Sequence, residues 1–463
     1  MSVNRVPSPV PVSRDQPLPA TLAQEWALQL AGVTKNCIPV ALRFTGPLDL
    51  TALRRSLTEI VRRHESLRTS FRWVGGEAHL VIAPPAELPL PVVDLAALPE
   101  ARRTELLDRL IAAHADHEFD MARGPLFVAQ AVRLDGRDHA LLLNVHHLIS
   151  DGWSIQVLLS ELTLLYTAFA QGRPSPLRPL PIQFTDFAWW QRRIFGGEPL
   201  ADQIGWWRET LARRPPPPTL PIDLPRPEVV GTRAVHASVT LSPETAQPLR
   251  AFARKTQSSL PMILLAAAEA LLHAYSGEED LIVSQIFAGR TSPELWDQIG
   301  LFMNTLALRV DLSGNPSFRK LVERISEAAL EAYLHQEVPF ARVLQELFPG
   351  RPLTRTLFSG VCFNMLTFAE TADAPAGGAE PLPDGLTLSP LPGEEGGTKH
   401  DLVFTCAERD GAVLFDLTGA ADLFTPERIR TIARDFETLL ARVTADPDIR
   451  LSRLREMVRP PAR

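Results

Sequence analysis

The sequence predicts an α+β protein built as two lobes. Its 463 residues are enough for two domains of ordinary size, each with a sizeable core. Strand-like and helix-like runs mix in both halves, with no regular βαβ alternation. The halves are separated near 211–231 by LARRPPPPTLPIDLPRPEVVG, where four consecutive prolines cannot continue a helix and favour an extended spacer. The expected organisation is a flexible proline-rich lead-in over 1–19, a first lobe over 20–210 and a linker over 211–231. A second lobe follows over 232–450, and 451–463 would begin a linker to a following domain.

In the first lobe, LDLTALRRSLTEIVRRH repeats Leu53, Leu57, Ile60 and Val61 at helical spacing. LRTSFRW and EAHLVI read as short strands around a glycine pair. Glu100 to His117 reads as a helix, with Leu106, Leu107, Leu110 and Ile111 on one face. LFVAQAVRL and HALLLNVH read as strands joined by a turn at Asp135-Gly136. A helix is expected soon after Gly152, with Ile155, Leu158, Leu159 and Leu162 at core spacing.

In the second lobe, ASVTL and LIVSQIF read as strands. LPMILLAAAEALLHAYSG reads as a buried helix with Pro261 near its start and Gly277 as its stop. SFRKLVERISEAALEAYLH and FTPERIRTIARDFETLLARV read as further helices. The segment near 371–398, rich in Gly, Pro, Ala and Glu, reads as a mobile loop.

Composition narrows the function. The formal net charge of −7, mixed in sign, offers no basic patch for nucleic acid. Cys37, Cys362 and Cys406 are far apart, form no CxxC pair and suggest neither zinc nor a disulfide framework; a reducing cytoplasm is the simplest setting. The start lacks the apolar core of a signal peptide, and no run is expected to span a bilayer.

The chemistry concentrates at HHLISDG, 146–152, the end of a strongly apolar strand. A histidine in such a place is ordinarily a packed, hydrogen-bonded residue, and that reading applies to His64, His79, His114, His117, His139, His236 and His273. Adjacent strand residues face opposite ways, so His146 and His147 are poorly placed to ligate one metal ion together. The same alternation lets one histidine enter a cleft while the other supports the backbone. Asp151, followed by a Gly152 that permits a sharp turn, would need a cationic partner if buried and would then fix the loop. A neutral imidazole held there could take a proton from an attacking amine or hydroxyl. With no serine nucleophile in the constellation, direct acyl transfer between two bound substrates is the expected chemistry.

HHLISDGWS resembles the HHxxxDG signature of nonribosomal peptide synthetase condensation domains, relatives of chloramphenicol acetyltransferase. Further stretches resemble that family in order. They are TLAQEWALQL (21–30), without the arginine common after its Gln-Glu, then RHESLRTSF (63–71), FDMARGPLF (119–127) and FTDFAWWQ (184–191). AGR (288–290), IGLFMNTLALR (299–309), HQEVPFARV (335–343), with Ala341 where a glutamate is usual, and RPLTRTLFSGVCFN (351–364) complete the series.

The resemblance implies two acetyltransferase-like lobes in a V with a tunnel between them. It implies no intrinsic cofactor, because substrates arrive on phosphopantetheine, on a carrier protein or on coenzyme A. His147 would be catalytic, as base or as a positioning group, with Gly152 offering a backbone N–H to the oxyanion. His146 would be structural. Asp151 would pair with Arg290 of the second lobe and tie the lobes together. Trp153, Ser154, Asn304 and Thr305 are candidates for the tunnel lining, while Trp189, Trp190, Trp206 and Trp207 read as packing.

The implied partners are an acceptor peptidyl carrier protein, an acyl-coenzyme A or acyl or peptidyl carrier donor, and a following adenylation domain. The product would be a secondary metabolite. A starter-type domain, N-acylating the first amino acid of a lipopeptide with a fatty acyl group, is expected because Met1 stands so close to the first motif. ADPDIRLSRL also resembles the run into an adenylation domain. Three alternatives stay open: an elongation domain with a peptidyl donor, a free-standing ester-forming acyltransferase, and a silent domain that recruits a partner enzyme.

Overall fold

The computed structural model describes residues 8–29, 36–195, 201–212, 218–228, 230–349, 360–366, 382–391, 397–409 and 411–458. The chain forms two compact α+β units. The first lies within Met1–Leu200, Ala288–Met303 and Thr371–Glu394; the second lies within Ala201–Phe287, Asn304–Glu370 and Glu395–Arg463.

In chain order the first unit holds α1 (Leu22–Gln29), β1 (Cys37–Thr45), α2 (Leu50–Arg63), β2 (Thr69–Val74), β3 (Glu77–Ile82), β4 (Val92–Asp94) and α3 (Glu100–Ala115). Next come β5 (Phe127–Arg133), β6 (Asp138–His146), α4 (Gly152–Ala170) and α5 (Phe184–Phe195), and later β11 (Thr387–Pro390). Its main sheet runs β11-β1-β6-β5-β4, antiparallel except for β4 with β5; β2 and β3 form a separate ribbon. β6 is the central strand, and its unbroken apolar run follows from burial on both faces. Ala140 and Leu142 pack with Leu107 and Ile111 of α3. Leu141, Leu143 and Val145 join the larger core formed with α2 and α4. α2 starts at Asp49, whose carboxylate caps the N–H groups of Thr51 and Ala52.

The second unit holds α6 (Ala201–Leu211), β7 (Ala234–Leu241), α7 (Pro243–Lys255), α8 (Leu260–Ser276), β8 (Asp280–Phe287), β9 (Asn304–Asp311), α9 (Phe318–Leu334) and α10 (Phe340–Leu347). It continues with β10 (Val361–Leu366), β12 (Leu402–Arg409), β13 (Ala412–Ala420), α11 (Pro426–Ala445) and α12 (Leu451–Met457). Its sheet runs β7-β13-β12-β10-β8-β9. α8 is apolar nearly all round because it is buried nearly all round. Ser259 caps its start, Pro261 sits in its first turn, and Gly277 ends it at φ +74°. Glu269 lies in the middle of this helix, wholly inaccessible.

Several expectations change here. Residues 8–19 are not a flexible lead-in. Val12 N–H and the Arg14 guanidinium bind Asp186, Arg14 also pairs with Glu65, and Leu18 is buried. The stretch expected as a mobile loop contains β11, paired with β1 from Leu42 to Thr45. Residues 451–458 are not a linker: they contain α12, which packs on α8, and Leu451 and Leu454 are buried. The four-proline core of the expected linker, apart from Pro218, and residues 351–359 of the last motif fall outside the described residues. α4, and the bent pair α7–α8 taken together, do reach the length and apolarity of a bilayer span; 56 % of the α4 window is buried within the protein, which accounts for its composition.

Candidate active site

The paired histidines take different positions because β6 ends between them. His146 is its last strand residue and is buried; His147 begins the turn and is half-buried. By strand parity His146 faces the α3 side, with Ala140, Leu142 and Asn144. Its ring stands edge-on to Phe119, with centroids 5.8 Å apart. Its Nδ1 accepts the Leu148 N–H at 3.1 Å, so the proton of a neutral ring belongs on Nε2. His146 C=O accepts the Ile149 N–H at 3.0 Å, and His147 N–H donates to Asn36 C=O at 2.7 Å. The turn carrying His147 is thus held by its own first histidine and by the residue just before β1.

Asp151 caps α4. Its Oδ1 accepts the Ser154 N–H at 2.9 Å, the Ser154 hydroxyl at 2.7 Å and Arg290 Nη2 at 3.0 Å. Its Oδ2 accepts Arg290 Nη1 at 3.0 Å and the N–H groups of Phe302 and Met303 at 3.0 and 3.1 Å. This is the bidentate fork geometry that makes arginine the partner of choice for a buried carboxylate. The Arg290 and Asp151 side chains are 1 % and 2 % exposed. Burial lowers the Arg290 pKa from its ordinary value, and Asp151 opposes that pull. Arg290 also donates to the carbonyls of Ala288 and Gln298 and lies over the Phe302 ring, 4.4 Å from its centroid.

The predicted Asp151–Arg290 pair therefore forms. Segment 288–303, though it follows β8 in the chain, belongs to the first unit with Asp151. Two glycines make this docking possible. Gly289 has φ +64°, and a Cβ there would stand 2.0 Å from Phe302 O; a Cβ on Gly300 would stand 2.0 Å from the Phe184 ring. These are the glycines of AGR and IGLF.

Other site residues move from their expected places. Gly152 does not make a sharp left-handed turn: its φ is ordinary and a Cβ would meet no atom within 4 Å. It is exposed in the first turn of α4, where the helix supplies no acceptor for its N–H. Ser154 lines nothing, being fully buried; its hydroxyl accepts from Gly300 N–H and Arg290 and donates to Asp151 or to Gly300 C=O. Trp153 Nε1–H donates to Trp296 C=O at 2.8 Å. Within the second unit, Asn304 spends its whole amide on backbone. Nδ2 donates to the carbonyls of Gln336 and Val338, and Oδ1 accepts from the N–H groups of Thr305 and Phe340. Thr305 is the second residue of β9 and is half-buried.

Trp206 stacks on His335 and buried Trp207 donates to His335 C=O, as packing residues do. His64 is a packed histidine, bonded to Glu161 at 2.9 Å. Among the described residues no group of three or more His, Cys, Asp or Glu side chains is placed to hold a metal ion.

Sequence reasoning missed Gln24, whose side chain donates to Leu148 C=O at 2.7 Å, directly beside the histidine turn. The signal was present as the capping pattern T-x-x-Q at 21–24.

An α+β chain with HHxxxDG at the end of a buried strand, its aspartate locked to an arginine, has the build of an HHxxxDG acyltransferase. The family model described as Condensation domain matches residues 15–458. The chain is similar to part of a linear gramicidin synthase polypeptide of Brevibacillus parabrevis, 39 % identical over 441 residues. The match covers 94 % of this chain and only 9 % of that one. Among solved structures it is similar to the X-domain from teicoplanin biosynthesis, with TM-score 0.86, 29 % identity and coverage of 96 % and 99 %. The starter condensation domain of rhizomide synthetase, solved with C8-CoA, shares the fold at TM-score 0.79 and 18 % identity, covering 94 % and 97 %. The chain belongs to the condensation-domain family of nonribosomal peptide synthetases. Its members are acyltransferases that form amide bonds.

Proposed function

We propose that this chain transfers an acyl group from a phosphopantetheine thioester to the α-amine of an aminoacyl group on an acceptor carrier protein, with His147 as the catalytic residue. The amine nitrogen attacks the thioester carbonyl, the C–N bond forms, the C–S bond breaks, and the amine proton leaves as the thiol is released. His147 binds the attacking amine and takes its proton or holds its lone pair on line. The N–H of Gly152 is the candidate donor to the oxyanion. The observation that carries this reading is the half-buried His147 on a turn whose neighbours His146, Leu148, Ile149 and Asp151 are all buried. An adenylation domain would charge the acceptor carrier.

The test is to offer octanoyl-coenzyme A, and separately a peptidyl-carrier donor, with an aminoacyl carrier acceptor. His147→Ala should fold normally and lose at least about 10²-fold in amide formation, the lower range for a positioned acid–base group; near-normal turnover overturns the assignment. A fatty-acyl starter domain uses octanoyl-coenzyme A, and an elongation domain uses only the peptidyl donor.

A second reading rests on one comparison. The teicoplanin X-domain, 28–29 % identical, was also solved in complex with OxyB, which supports a domain that recruits a partner enzyme. That reading requires no turnover with any donor.

A further inference from the structure

From the geometry of the first motif we infer that Gln24 is a positioning residue for His147, a reading that rests on His147 being catalytic. Gln24 is 1 % exposed and lies in α1. Its two ends do different work. Oε1 accepts the Thr21 N–H at 3.0 Å while the Gln24 N–H donates to Thr21 Oγ1 at 3.1 Å, a reciprocal capping box that starts α1. Nε2 points the other way and donates to Leu148 C=O at 2.7 Å, across 124 residues of sequence. Leu148 N–H is already bound to His146 Nδ1. The residue that follows His147 is therefore gripped at both of its backbone polar atoms.

α1 is itself anchored, so the grip is stiff. Leu22 N–H donates to Gln191 Oε1 at 3.2 Å, Arg192 Nε donates to Ala20 C=O at 2.7 Å, and Arg192 pairs with Glu25. All these partners lie on α5 and the segment 20–25. The stretches 21–30 and 184–191 thus converge on the histidine turn: α5 holds the start of α1, and α1 holds Leu148. A capping box alone needs an acceptor at position 24, which glutamate supplies equally well. Only an amide also supplies a donor to Leu148. Gln24 therefore carries a task that helix initiation does not explain.

Gln24→Glu separates the two tasks, since it keeps the cap and sets an oxygen against the Leu148 carbonyl. Gln24→Met, which keeps neither, stands in should the glutamate variant not fold, and Thr21→Ala weakens the cap while leaving the donor. The full chain is labelled with 13Cε1-histidine, and the His147 signal is assigned by its loss in His147→Ala. In Gln24→Glu, or Gln24→Met, that signal should move or split and its titration midpoint should shift, while the His139 and His236 signals hold still; in Thr21→Ala the His147 signal should move less. An unmoved His147 signal with an unchanged titration overturns the inference.

Turnover of octanoyl-coenzyme A or the peptidyl donor, whichever the chain uses, should fall about tenfold or more in kcat with KM unchanged. The loss should vanish in the His147→Ala background; an equal loss in both backgrounds also overturns it. A His147→Ala chain that keeps its rate would sink the catalytic reading while leaving the Gln24 signal shift to stand by itself.

Discussion

Asp151 and Glu269 are both buried carboxylates, one in each unit, and their surroundings are opposite. Asp151 accepts five hydrogen bonds from N–H donors, two of them from Arg290, and a sixth when the Ser154 hydroxyl turns to it. Glu269 is wholly inaccessible in α8, and among the described residues neither of its oxygens meets a donor. Burial raises its pKa well above the ordinary carboxylate value. The same chemical group is thus a strut paired with an arginine in one place and a carboxyl whose charged form burial disfavours in the other. Donors, not depth, decide which, because an unpaired buried charge is far costlier than a neutral carboxyl.

The comparison breaks first at Asp151. Asp151→Ala or Arg290→Ala should each cost about 3–5 kcal/mol in chemical unfolding, since each leaves a buried charge without its partner. The double variant should cost clearly less than the sum, with a coupling of about 0.5–3 kcal/mol. Strict additivity in the unfolding midpoints would show that the pair acts as two separate groups.

At Glu269 the sign reverses. Glu269→Met keeps the approximate shape and removes an unpartnered polar group, so the variant should be more stable than the wild type by about 1–3 kcal/mol at pH 7. The gain has a defined pH window. The native pKa lies above the unfolded one, so the native state holds the extra proton. Wild-type stability from this group is full below about pH 4.5 and declines as pH rises towards the native value. The advantage of Glu269→Met should therefore widen as pH rises above about 4.5. A variant less stable than the wild type at pH 7 would mean that Glu269 has a partner in solution.

The two sites were unequally legible in the sequence. β6 and the histidine pair could be read from the apolar run because burial on both faces of a central strand leaves that signature. The Asp151–Arg290 pair could be read only through the resemblance, and its placement was misread. Nothing local in AGR says that 288–303 leaves its neighbours β8 and β9 for the first unit; that follows from Gly289 and Gly300 admitting Phe302 O and the Phe184 ring. Residues 8–19 and β11 were hidden for a related reason. Proline- and glycine-rich composition suggests looseness, but their order comes from distant partners, Asp186 and β1. Glu269 was visible as the lone charge in LLAAAEALL and passed over, because its isolation is a property of the packed unit.

Glu161 gives the smallest effect and the sharpest contrast with Glu269. Burial pushes its pKa up, but His64 and Arg63, bonded at 2.9 and 2.7 Å, outweigh that and hold it below the ordinary value. Its native pKa is therefore depressed where that of Glu269 is raised, and the linkage changes sign. Stability from Glu161 is present above about pH 4.5 and is lost as pH falls through the native value, because there the unfolded chain binds the extra proton. One group can contribute at most about 1.4 kcal/mol per pH unit to the slope. Glu161→Gln should flatten the acid limb of the stability curve below about pH 4.5 and leave the slope above it alone, whereas Glu269→Met should change only the slope above it. Urea unfolding of both variants from pH 3 to 8 makes the comparison. Acid limbs that run parallel in wild type and Glu161→Gln would show that His64 and Arg63 do not hold the Glu161 pKa below its ordinary value.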